Sequence, residues 1–170
     1  MSETGQKPLT VNPPPLAESV EDRLIKLGIT LPVAAAPVAA YVPTVEAGGM
    51  LYVSGQLPFK DGHLIVGQLG EDVNVELGRE AARACALMLI AQMKAALGSL
   101  DRIERIVKLN IFVNSSARFT DQPKVGDGAS TLMVELFGDA GRHARAAVGV
   151  PALPLGAAVE IDAVVAVRPV

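Results

Sequence analysis

The chain has 170 residues, of which half are hydrophobic and 19% charged, with a formal net charge of −3. That length supports one domain with a substantial core, and an acidic balance without a run of five basic residues argues against a nucleic-acid partner, which needs clustered Lys and Arg. The lone cysteine, Cys85, excludes an internal disulfide and fits a reducing compartment. With no hydrophobic signal core and no eighteen-residue apolar run, no membrane partner is expected, and a cytoplasmic location is.

Residues 1–18 contain Pro13-Pro14-Pro15 and little periodicity, and read as a flexible tail; 19–170 read as a single domain. Ser19 with Asp22 three residues later forms a capping-box pattern, so a short helix is expected over 19–28, with Leu24 and Leu27 as its apolar side and Gly28 as its stop. A Pro-rich link, Leu31 to Pro37, leads to a strand region from Val38 to Val45. Gly48-Gly49 marks a turn, and Met50 to Ser54 reads as the returning strand. Asp61-Gly62 is a second turn, followed by an extended piece from Leu64 to Val66.

From Val75 to Leu97 the period becomes helical, with Ala81, Cys85, Met88, Leu89, Met93 and Ala96 at spacings of three and four, and Gly98 stops it. Ile103 to Val113 is a β-branched strand, expected to place Ile103, Val107, Leu109, Ile111 and Val113 on one face. A second long helix is expected from about Pro123 to Phe137, with Gly126 and Gly128 weakening its first turn. Two apolar runs close the chain, Arg145 to Val150 and Val159 to Val167, bounded by Gly and Pro. Paired as an antiparallel hairpin about Ala152 and Leu153, they would set Arg145 opposite Glu160 in a dry setting.

The predicted order, β-β-α-β-α-β-β, gives an α+β fold: a mixed β-sheet covered on one face by two helices. Two helices leave the other face of an apolar sheet uncovered, and oligomerisation is the simplest way to bury it.

Several segments carry a resemblance: Tyr41, Tyr52-Val53-Ser54-Gly55-Gln56-Leu57-Pro58, Val107 to Val113, and Arg145 through Val167. Over roughly residues 37–167 the chain resembles the reactive-intermediate deaminase (Rid, also called YjgF) family. Its longer N-terminus and His143-Ala144-Arg145 context are similar to the subgroup labelled endoribonuclease. The resemblance implies a chorismate-mutase-like fold, a homotrimer with sites in the clefts between subunits, and hydrolysis of enamine or imine intermediates such as 2-aminoacrylate to 2-keto acids and ammonia. By position, Arg145 matches the arginine that grips the substrate carboxylate, and Glu160 the acid associated with the attacking water. Tyr41 matches a cleft tyrosine, and Ser54-Gly55 the backbone corner beside it. The chain departs from the family at Ala147, where many members have cysteine. It also departs around Val125-Gly126-Asp127, where a common asparagine has no counterpart.

Each residue also has a plainer reading. Arg145 and Glu160 could be a structural ion pair, Tyr41 a packing residue, and Gly55 a turn. Asp162 is expected on the same face as Glu160, as an interface contact rather than a second acid. His143 shares a strand face with Arg145, at the rim of the pocket or exposed at the strand start. His63 is turn surface, and Cys85 belongs to the helical core. Two distant histidines and one helical cysteine make no metal site. No phosphate loop or serine-nucleophile motif occurs, so no cofactor is expected. The expected partners are small 2-imino or 2-keto carboxylates. An endoribonuclease, a non-catalytic carboxylate binder using only Arg145, and a trimeric scaffold are the alternatives.

Overall fold

A computed structural model of the protein describes residues 18–36 and 39–170. The expected tail up to residue 17 lies outside the described residues, as does Val38. The first helix, α1 (Val20–Lys26), begins as its sequence predicts: the Ser19 side chain accepts from the Asp22 amide, and the Asp22 carboxylate accepts from the Ser19 amide. Leu24 is buried beneath it, whereas Leu27 is exposed.

The hairpin β1 (Thr44–Ala47) and β2 (Met50–Gln56) turns at Gly48-Gly49. Both glycines have positive φ, 60° and 75°, the conformation a tight two-residue turn needs and other residues resist. The first strand is thus shorter than expected, since residues 39–43 bend instead of pairing. Asp61-Gly62 turns a small separate hairpin, β3 (Phe59–Lys60) and β4 (His63–Leu64).

Helix α2 (Val75–Leu97) has the predicted boundaries because both ends are chemically marked. Asn74 Oδ1 accepts from the Leu77 amide, and Gly98 closes the far end at φ 77°. Strand β5 (Ile103–Asn114) follows, then α3 (Gln122–Phe137). The two glycines in the first turns of α3 are there for proximity. A Cβ on Gly128 would overlap the Arg79 carbonyl of α2, and one on Gly126 would lie 2.9 Å from Ile111 and 3.3 Å from Arg145. Close approach of the two helices offsets the helix propensity that glycine forfeits.

The last strands are β6 (Ala144–Val150) and β7 (Val159–Val167). The main sheet has the order β1-β2-β7-β5-β6; β6 runs parallel to β5, and every other pairing is antiparallel. This is the expected α+β architecture: α2 and α3 cover one face, where Leu51, Val53, Leu109, Ile111, Val159, Ile161 and Val165 are buried. Two expectations are corrected. The C-terminal strands form no hairpin, because β5 lies between them. And Ile106, not Val107, joins the buried face of β5, because register shifts at Ile103/Arg105 and Ile106/Lys108 reverse the alternation there.

Among the described residues no helix covers the opposite face. Val45, Tyr52, Val164, Lys108 and Ala144 form one cross-strand row on it, and Val45, Tyr52 and Val148 are exposed. Among the described residues no helix is long and apolar enough to cross a membrane.

Candidate functional site

Four of the site residues expected from sequence converge on the open face. Tyr41, Ser54, Gly55 and Glu160, with Tyr52, Asn110 and Asp162, line a cleft of about 600 Å³. The strand register explains the meeting. Glu160 pairs with Phe112 and Asp162 with Asn110 across β5, so alternation brings both carboxylates to the face away from the helices. β2 has a register shift between Val53 and Gln56, which places Gly55 beside Glu160. The Glu160 carboxylate occupies the space a Gly55 side chain would need. Gly55, expected as a backbone corner beside the cleft, thus makes room for this side chain.

The irregular stretch is held from both sides. Ser54 Oγ donates to the Val42 carbonyl at 2.9 Å, tying β2 to the segment that carries Tyr41. Behind it, the buried Gln56 donates to the Ser54 and Gly55 carbonyls, and Gln92 of α2 donates to Gln56 and to Ala35. On the cleft floor Asn110 Nδ2 donates to Asp162 at 2.7 Å, so Asp162 is held inside the cleft of its own chain. Burial raises the Glu160 pKa, and the Asp162 charge raises it further. A carboxylate shifted in this direction retains a proton more readily near neutrality, as a group that both takes and returns protons should.

Arg145 is elsewhere. It pairs with Leu109 on β5, so its side chain lies on the helix-covered face, opposite to Glu160. The cross-strand Arg–Glu pair expected from sequence is therefore absent within the chain, and the intervening β5 is the reason. Arg145 Nη1 instead donates to Asp127 Oδ1 at 2.9 Å and to Ser130 Oγ at 3.1 Å, both on α3. Among the described residues its Nη2 and Nε have no such partner, which leaves one edge of the planar fork for a ligand. Asp127, Ser130 and Asn110 were missed by sequence reasoning. Asp127 and Ser130 are three apart on a helix and so share a face, a signal visible once that helix is set beside Arg145.

His143 is neither fully exposed nor in the cleft. Half-buried at the head of β6, it bonds to Ser130 and to the Gly141 carbonyl. Cys85 is buried in the core as expected, and burial pushes its thiol pKa up. His63 is exposed at its turn. Among the described residues no three His, Cys, Asp or Glu side chains gather as a metal site would require.

Comparison with known proteins agrees with this architecture. Residues 21–165 match the family model described as "YjgF/chorismate mutase-like, putative endoribonuclease". Protein TCP17 of Trypanosoma cruzi is 57% identical over 148 residues, 86% of this chain and 92% of that protein. A 2-iminobutanoate/2-iminopropanoate deaminase of Dermatophagoides farinae is 31% identical over 141 residues, 82% and 95% of the two chains. The crystal structure of a protein of unknown function from Agrobacterium tumefaciens superposes with a TM-score of 0.82 at 50% identity, covering 88% of this chain and 92% of that one.

Proposed function

Because the chain belongs to the YjgF (Rid) family, we propose that it hydrolyses reactive enamine or imine intermediates of the 2-aminoacrylate and 2-iminopropionate type to 2-keto acids and ammonia. The observation that carries this reading is Glu160, a half-buried carboxylate of raised pKa in a cleft with Tyr41, Ser54 and Gly55. The enamine tautomerises to the imine. Glu160 takes a proton from water as the water oxygen bonds to the imine carbon, and the carbinolamine forms. With the imine nitrogen protonated at the outset, this carbinolamine is neutral; Glu160 returns the proton to its nitrogen and takes the hydroxyl proton as the C–N bond breaks, so ammonia leaves and the 2-keto acid remains. Arg145 grips the substrate carboxylate through its unoccupied Nη2/Nε edge, where a guanidinium fork makes two parallel hydrogen bonds. Positioning and one proton shuttle suffice for a substrate this reactive.

Arg145 and Glu160 lie on opposite faces of one sheet, so the site is completed between copies. β6 is one edge of the sheet and β1 the other, with the cleft towards the β1–β2 side. A closed head-to-tail assembly brings the β6 edge of one copy to the cleft of the next, and a homotrimer is the assembly we infer. Val45, Tyr52 and Val148, exposed on the open face, support this. The test is ammonia release from freshly generated 2-iminopropionate. Wild type should exceed the solvent rate and Arg145→Ala should not; a wild-type rate equal to that of solvent would leave a carboxylate binder.

A further inference from the structure

A chain of polar groups runs from Arg145 back to the turn before β6. Ser130 Oγ lies 3.1 Å from Arg145 Nη1 and 3.0 Å from His143 Nε2. His143 Nδ1 lies 2.6 Å from the Gly141 carbonyl oxygen. The protons can be assigned by elimination. A carbonyl only accepts, so Nδ1 carries a hydrogen; in the neutral ring Nε2 then accepts, and the Ser130 hydroxyl donates to it. The Ser130 lone pairs are left for the Arg145 N–H. Each link has one donor and one acceptor, and together with Asp127 they fix the guanidinium through Nη1 alone.

We propose that Ser130 and His143 are positioning residues for Arg145, and that occupation of Arg145 by a substrate carboxylate is linked to proton uptake on His143. The proposal rests on Arg145 being the carboxylate grip. The charged groups on the elements around the ring are Arg145 on its own strand, Asp127 beyond Ser130 on α3, and the solvent-exposed Asp139–Arg142 pair in the preceding turn. Arg105 and Lys108 belong to the neighbouring β5. Burial lowers the His143 pKa, the Gly141 carbonyl opposes this, and the Arg145 charge adds to the lowering. A carboxylate on the free edge of Arg145 offsets part of that positive charge, so the imidazole accepts a proton more readily and its Nε2–H donates to Ser130. Linkage is reciprocal: the carboxylate then binds more tightly as pH falls through the His143 pKa.

NMR titration of the imidazoles tests this, with exposed His63 as the internal reference. 2-Ketobutyrate should raise the His143 pKa in wild type, leave His63 unmoved, and have no effect on either ring in Arg145→Ala. By calorimetry the wild-type Kd should tighten roughly threefold as pH falls through that pKa. His143→Gln should bind with no such step, and Ser130→Ala should bind more weakly with the step reduced. Circular dichroism confirms that each variant is folded. Bound ligand with an unmoved His143 pKa would overturn the linkage and leave the carboxylate grip standing. No binding by wild type at any pH would overturn the grip itself.

Discussion

Within the chain, burial and the Asp162 charge set the titration of Glu160; Arg145, expected opposite it, lies on the other face of the sheet. Hydrolysis should therefore rise with pH through a pKa above the ordinary glutamate value, as the base form appears, and a pH profile of kcat checks it. The same shift has a stability consequence of definite sign. A carboxylate with a raised folded-state pKa contributes stability that is present below the unfolded pKa and lost as pH rises through the folded one. At neutral pH the ionised Glu160 is thus a liability. Glu160→Gln should melt above wild type at pH 7 and lose that advantage at about pH 4, while hydrolysis falls by roughly 10²-fold. A variant that loses activity and gains no stability at pH 7 would contradict the burial argument. At Arg145, a lysine keeps the charge but not the fork, and it cannot hold Asp127 and Ser130 while also offering two parallel bonds to a carboxylate. Arg145→Lys should lose about 2 kcal/mol or more of transition-state binding, read as kcat/KM.

α2 was readable because Gly98 is a local stop signal and the period of its apolar stripe needs no partner to be seen; the Asn74 cap at its start emerged only with the structure. α1 and the β1–β2 turn were readable for the same reason. The final pair of strands was not. Alternation reveals which residues share a face, but not which strand lies alongside, and strands consecutive in sequence are neighbours only about two-thirds of the time. The site divides in the same way. Tyr41, Ser54, Gly55 and Glu160, grouped in the sequence only through the resemblance, do line one cleft, whereas the partners of Arg145 come from α3 and depend on how that helix crosses the sheet. Gly128 records the crossing: nothing larger fits against the Arg79 carbonyl. Gly128→Ala should cost about 1–3 kcal/mol through overpacking, in spite of alanine's better helix propensity. A thermal melt unchanged from wild type would show that the helices can part without loss.

At the scale of the whole fold the described residues present two unlike surfaces, a helix-covered side and an open sheet face with Val45, Tyr52 and Val148 exposed. Light scattering at micromolar concentration should give three times the chain mass; a monomer would remove both the proposed trimer and the shared site. The strand order also governs how the chain is made. β7 stands between β2 and β5, so the N-terminal hairpin has no place in the sheet until the final strand leaves the ribosome. Until then the nascent chain can assemble β5, β6 and the two long helices, while β1 and β2 wait with their hydrogen-bonding edge unfilled, a state open to chaperones and to pairing with other chains. A chain truncated after Ala158 should therefore be trapped in this divided form. Limited proteolysis should cut it within residues 44–56 while sparing α2 and α3, and the full-length protein should resist at the same sites.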